Sequence, residues 1–314
     1  MRTFIALAKT LILGAAVLGI FFAISGFAGF TAGHWGETFS HEGSFERTLS
    51  VNGPVRLEVQ TGSGSVHVVR GDGQRVVVVA HIRGRSEDRV RAIELNPPVV
   101  QNGNEIEIGK LSREAQRDVS ISYEVHAPQQ TELQASSGSG NVVVADLDGP
   151  VRASSGSGSL TLSGVQHELS ADTGSGNVHI TRAGGALTTR AGSGEVSVDG
   201  AAAAVEARTG SGSIELNGIH ADLTARTGSG NIRAAGDLPS GHRWNLEAGS
   251  GSIELDLPTT TAMEVSAHTG SGTVTTSLPI TMTGTVNRHD LHGVVGSANA
   301  HLNAATGSGN IRID

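Results

Sequence analysis

The sequence predicts an all-β protein: a single-stranded, parallel, right-handed β-helix or solenoid with coils of about 18 residues, preceded by an N-terminal transmembrane or signal helix. Three observations predict it. The tripeptide Gly-Ser-Gly occurs ten times, beginning at Gly62, Gly138, Gly156, Gly174, Gly192, Gly210, Gly228, Gly249, Gly270 and Gly307. The five gaps from Gly138 to Gly228 are all 18 residues. Apolar residues fall in fixed columns around each copy, the mark of a repeat architecture.

Alignment on the first glycine defines four apolar columns, at five and three residues before it and at four and six residues after it. Leu169, Ala171, Val178 and Ile180 show them in the Gly174 copy. Of the 40 positions in these columns 38 are apolar, and both exceptions are Thr. Apolar residues two apart, with polar neighbours, specify a strand with one buried face. Each repeat therefore has two short strands. The buried parity switches across Gly-Ser-Gly, which a straight strand cannot do, so the chain turns there. Glycine is expected at that corner for its freedom in backbone angle. A Ser or Thr before the corner, such as Ser155 or Thr173, is expected to bond the turn backbone or its copy in the next coil.

A second turn closes the repeat at Gly164, Gly200, Gly218 and Gly236, each eight residues after a first glycine. An apolar or small residue such as Val165 or Ile219 follows and suggests a short third side. An antiparallel sandwich is the alternative architecture. Equal repeats of equal phase favour the solenoid, because every column then stays in register. Right-handed winding follows the usual sense of parallel crossovers. The outer gaps of 76 and 37 residues read as stretches filled by degenerate copies. That gives about 15 coils and roughly 70 Å of stacked length.

Three segments follow: an anchor or signal over residues 1–33, an irregular first part of the solenoid over 34–130, and the regular repeat over 131–314. In the first, Arg2 and Lys9 precede an apolar run from Leu11 to Phe30, long enough to span a bilayer. The flanking positive charge places that end inside and the rest outside the cytoplasm. Gly26-Phe27-Ala28 leaves signal cleavage as the other reading. In the second, Val76–Val79 and Val119–Val125 read as strands. The charged stretch from Arg85 to Leu95 reads as helical, ended by Pro97-Pro98. The third ends on the Gly307 repeat, which reads as an uncapped end rung.

Composition narrows function. Net charge is -8 with acids and bases interspersed, so no basic block offers a phosphate footprint and no nucleic-acid partner is predicted. Cysteine is absent, which removes disulfides, thiolate metal sites and a Cys nucleophile.

Val55–Val59 running into Gly62-Ser63-Gly64, Ile121–Pro128 followed by Leu133, Ile253–Pro258, and Thr306–Ile311 together carry a family resemblance. These stretches resemble a bacterial adhesin family, a domain of unknown function with Ser-Gly-Ser-Gly repeats, and more loosely the head domains of auto-transporter adhesins. The resemblance covers residues 45 to 314. It implies a β-helix and extracytoplasmic placement, and it brings no catalytic residue to any position here.

The chemical motifs are sparse. Ten copies of Gly-Ser-Gly read as structural corners and not as phosphate loops, since no Gly-Lys or helix start follows. Calcium β-rolls need Asp in the turn, where this chain has Ser. The 13 histidines are scattered, so no metal site and no cofactor is predicted. One constellation stands out. Arg190, Arg208 and Arg226 share an outward column in three consecutive coils. It is a candidate site for an anionic ligand, since guanidinium forks suit carboxylates. The plainer reading is a solvated face balanced by Glu206 and Glu215.

The chain is expected to be a non-catalytic, adhesin-like protein of the cell envelope. It is expected to be held in the membrane through its N-terminal helix, or secreted after cleavage, with envelope glycans or proteins as partners. A polysaccharide-active β-helix enzyme and a self-assembling scaffold are the alternatives.

Overall fold

All ten Gly-Ser-Gly corners stack in one column. The computed structural model describes residues 40–282, 287–297 and 299–314. The segment 1–33 read as an anchor or signal lies outside them. Among the described residues no helix is long and apolar enough to cross a membrane. They belong to one unit, Phe39–Asp314.

The strand before each corner enters a 14-stranded sheet, here the leading sheet, and the strand after it enters a 13-stranded trailing sheet. Val151–Ser155 pairs in parallel with Leu169–Thr173, which pairs with Leu187–Ala191, always residue for residue at a shift of 18. The trailing strands Leu160–Ser163, Val178–Ala183 and Val196–Ala201 do the same. Parallel stacking of like columns thus replaces the antiparallel alternative over the regular repeat. Of the 40 column positions only Val274 and Thr276 are not buried, and both lie in the Gly270 coil at one end of the stack. A short third side exists too. The amides of Gln166, Gly184 and Ala202 donate to the carbonyls of Leu147, Val165 and Ala183, one coil earlier.

The corner glycines are explained by close approach rather than by backbone angle. A Cβ at Gly156 would lie 2.3 Å from the carbonyl oxygen of Gly138, and one at Gly158 would lie 2.0 Å from that of Gly140. Any side chain would wedge the coils apart. Within the ten corners only Gly64 and Gly309 have positive φ. Freedom of angle matters instead at the second turn, where Gly164, Gly200 and Gly218 have φ of 65°, 80° and 63°. Asp146 and Arg182 occupy the same column with φ of 58° and 55°.

The 76-residue gap holds one degenerate coil, with Ile106, Ile108, Tyr123 and Val125 in the four apolar columns, and the 37-residue gap holds none. The Gly62 coil stacks directly on the Gly138 coil, Val55–Thr61 against Thr131–Ser137 and Val66–Val69 against Val142–Ala145. The 76-residue excursion between them folds back as a cap of mixed pairing. It extends the trailing sheet with Val119–Ala127, parallel, and Arg75–Gly84, antiparallel, and His41–Ser50, from ahead of the Gly62 coil, adds a further antiparallel strand. It extends the leading sheet with Glu105–Ile108 and Val99–Asn102. The helix Glu87–Leu95 covers this end with Val90 and Ile93 buried. Ser44 donates its amide to Glu94 there, at 2.9 Å. Under the cap, a cavity of about 10 Å³ touches Gln60, Gln116 and the buried Tyr123, room for one water. Burial pushes the Tyr123 hydroxyl above the usual phenol range.

The other gap hides a change of order. The chain leaves the Gly249 coil, skips one rung, lays down the Gly270 coil and returns to fill the skipped rung. His301–Ser308 lies between Arg243–Ser250 and Met263–Ser271, and Ile311–Ile313 lies between Ile253–Asp256 and Val274–Thr276. The Gly307 repeat, read from sequence as an end rung, is therefore an internal one. Asp290–Val295 and Thr281–Met282 extend the leading sheet beyond Met263–Ser271, antiparallel. The parallel stack has ten Gly-Ser-Gly coils and one degenerate coil, and not 15. The nine spacings between the Gly-Ser-Gly rungs correspond to about 43 Å.

Candidate functional site

Sequence and rung spacing together create vertical ladders along the stack, one buried at the corner and the others on its outside. The first follows the corner. Thr173 donates its hydroxyl to the Gly158 carbonyl at 2.9 Å and accepts the Gly176 amide at 3.1 Å. Ser155, Thr209 and Ser137 repeat both bonds. The expected hydroxyl role thus takes both forms at once, within a turn and between coils. Ala191 and Ala248 stand in the same column and interrupt the ladder.

A second ladder runs three residues after the first glycine. In spatial order it reads Ser65, Asn141, Ser159, Asn177, Glu195, Ser213, Asn231, Ser252, Asn310, Thr273. Each Asn accepts the amide of the next coil: Asn141 from Ser159 at 2.9 Å, Asn177 from Glu195 at 3.0 Å, Asn310 from Thr273 at 3.0 Å. The Ser–Asn alternation continues through Asn310 only because that coil sits between those of Ser252 and Thr273.

Arg190, Arg208 and Arg226 do share one outward column of the leading sheet, paired residue on residue. Their neighbours above and below are Asp172 and Glu247. Arg208 Nη2 lies 2.8 Å from Glu206, and Arg226 Nε lies 3.1 Å from Glu247. Arg190 is held more loosely, 3.8 Å from both Asp172 and Glu206. Three acids thus face three guanidinium groups, and the repulsion of the column is relieved. Glu206 fills the role expected of it. Glu215 does not, because it lies on the trailing sheet opposite Arg233. Sequence reading passed over Asp172 and Glu247, although both stand in the arginine column itself.

Glu215, Arg233, Glu254 and Arg312 form a further alternating charge ladder. The Arg233 Nε hydrogen bonds Glu254 at 2.9 Å, and this bond raises the already high guanidinium pKa. Arg312, like Asn310, fits its column only through the inserted coil.

Beside Arg190 an open groove of about 540 Å³ follows the corner, lined by Ser154, Ser155, Asp172, Thr173, Arg190 and Ala191 among others. Its lining offers hydroxyls, exposed backbone and one half-exposed guanidinium. The Arg208 Nε hydrogen is buried with no acceptor among the described residues. Three histidines pair with carboxylates at one end of the leading sheet: His268 with Asp290 at 2.6 Å, and His301 and His292 with Glu264 at 3.1 and 3.8 Å. Among the described residues, no group of three or more His, Asp or Glu is arranged to hold a metal ion.

No curated protein matches the chain. Among solved structures it is similar to a "putative lipid binding protein" from Parabacteroides distasonis ATCC 8503. That match has 12% identity and a TM-score of 0.50 over 88% of this chain and 98% of the other. It is also similar to a "putative adhesin" from Bacteroides fragilis NCTC 9343, with 13% identity and a TM-score of 0.41 over 87% and 97%. A third is a "putative cell adhesion protein" from Clostridium sporogenes ATCC 15579, with 10% identity and a TM-score of 0.22 over 87% and 99%. The first likeness speaks to the fold alone. The Toastrack DUF4097 family model matches residues 55–314, a span running from the first leading-sheet strand through every Gly-Ser-Gly coil, and the chain belongs to that family.

Proposed function

We propose that this protein is a non-catalytic, adhesin-like binding or scaffolding protein of the cell envelope, held outside the cytoplasm by the apolar run from Leu11 to Phe30. The observation that carries the reading is the pair of broad sheets whose outward side chains recur at one rung. An array with the period of a strand stack suits a repetitive partner, such as an envelope glycan or an extended peptide, and binds it through many weak equivalent contacts. An anionic group of that partner is taken at the column of Arg190, Arg208 and Arg226. Arg190 is the first contact, because its two carboxylate neighbours stand at 3.8 Å and it opens on the groove.

Two experiments test this. In fractionated cells the full chain is expected in the membrane, and replacing Leu13 and Leu18 with Asp is expected to remove it; unchanged fractionation contradicts the anchor. Purified full chain in detergent is expected to retain anionic envelope glycans on a column. The Arg190→Gln variant should elute at lower salt, with a smaller effect for Arg226→Gln. Equal elution of both variants and the parent rules out the arginine column. Turnover of any glycan in the panel favours the enzyme reading instead.

A further inference from the structure

At the junction after the eighth coil the neighbouring rungs are not consecutive in sequence. From the Gly138 coil to the Gly249 coil, neighbouring rungs follow one another in the chain and are tied by a short turn. Here the ninth rung belongs to residues 301–313, and the chain crosses the junction only once, through residues 257–262, on its way to the tenth rung.

Residues 263–314 are knit among themselves. Met263–His268 pairs antiparallel with Asp290–Val295. Glu264–Ser271 pairs in parallel with His301–Ser308, and Val274–Thr276 with Ile311–Ile313. Thr269 donates to the Gly309 carbonyl at 2.7 Å, and Asn310 accepts the Thr273 amide at 3.0 Å. Leu302 and Ala304 are buried between Val265 and Ala267 on one side and Trp244 and Leu246 on the other. What joins this module to the body is one sheet junction. Arg243–Ser250 lies on His301–Ser308 and Ile253–Leu255 on Ile311–Ile313, with the Thr306 hydroxyl on the Gly251 carbonyl at 2.7 Å.

Until that junction closes, the body ends on two open strand edges and the module begins on two matching ones. Open edges of matching register pair with whatever copy reaches them first. The contacts are the same whether the module comes from the same chain or another, so only the tether through 257–262 favours the same chain.

We propose that the junction between the Gly249 and Gly307 coils is an exchange interface, whose partner is a second copy of this chain donating its residues 263–314. Asn245 and Asn303 face each other across it, with Asn303 Nδ2 donating to Asn245 Oδ1 at 2.9 Å. The chain has no cysteine, so introduced thiols report without background.

Full-length Asn245→Cys and isotopically labelled full-length Asn303→Cys are each matched to the parent by circular dichroism, then refolded together in detergent and oxidised. The expected product is a 245–303 bridge between a labelled and an unlabelled chain. Its yield should rise roughly in proportion to protein concentration, up to the millimolar scale of a tethered module. The double variant Asn245→Cys/Asn303→Cys should bridge within one chain at high dilution. Intrachain bridging in the double variant with no mixed bridge at any concentration overturns the exchange. Failure of the double variant to bridge overturns the junction itself.

Discussion

Arg182 reaches over Gly164 to place its Nη2 3.3 Å from Asp146 Oδ1, two coils away. Both residues hold the left-handed backbone that glycine holds in the neighbouring coils of that column. A Cβ at Gly164 would lie 2.3 Å from the same Asp146 oxygen. The pair therefore bridges a site that must stay empty. Left-handed backbone costs a side-chain-bearing residue about 1–2 kcal/mol, whereas an exposed ion pair contributes less than about 1 kcal/mol. Arg182→Gly is expected to stabilise the fold by up to about 1 kcal/mol, and Gly164→Ala to destabilise it. Urea denaturation of both variants checks the signs.

The hydroxyl ladder predicts an unequal response to two small changes. Thr173→Val removes one acceptor and one donor at a buried corner and strands the Gly158 carbonyl and the Gly176 amide. The expected cost is about 1–3 kcal/mol. Thr173→Ser keeps both bonds and should cost well under half of that. Equal losses in chemical denaturation would mean that the methyl group, and not the hydroxyl, matters.

Gly158 and Ser157 separate packing from exposure at the same corner. Gly158→Ala puts a methyl group 2.0 Å from the Gly140 oxygen and should cost about 3 kcal/mol, the upper end for overpacking. Ser157→Ala, at an exposed position, should stay within about 0.5 kcal/mol. Thermal melts of the two variants distinguish them directly.

Acid sensitivity should localise to the His–carboxylate end. The hydrogen bond from His268, with a second from Asn287, lowers the Asp290 pKa below its ordinary 3.8. A carboxyl group whose folded pKa is lowered contributes stability above the unfolded value, and that contribution is lost as pH falls through the folded one. Asp290→Asn should therefore lower the melting temperature above about pH 4 and have a diminishing effect below it. A difference that grows on acidification would contradict the shift.

How much of this was legible in the sequence depends on what repeated. The four apolar columns gave coil, register and corner because each copy has the same phase, and stacking keeps that phase. Coil order was not legible from those columns, since any two coils with identical columns can lie together. The order was written in the polar ladders: Asn310 fits between Ser252 and Thr273, and Arg312 follows Glu254. The Gly62 excursion was hidden for another reason. Its outer strands pair antiparallel, and its one parallel rung, Glu105–Ile108 with Val119–Ala127, turns without Gly-Ser-Gly, so neither shows the 18-residue period. The arginine trio was found because three identical residues stand out, while its counter-charges Asp172 and Glu247 differ from coil to coil.

Contacts between side chains in the last three rungs test the stacking order most directly. Methyl and indole nuclear Overhauser effects should connect Leu302 to both Trp244 and Val265, and should be absent between Trp244 and Val265, which stand two rungs or about 9.6 Å apart. Strong direct Trp244–Val265 contacts, with Leu302 at neither, would contradict the inserted coil and the order of the whole stack.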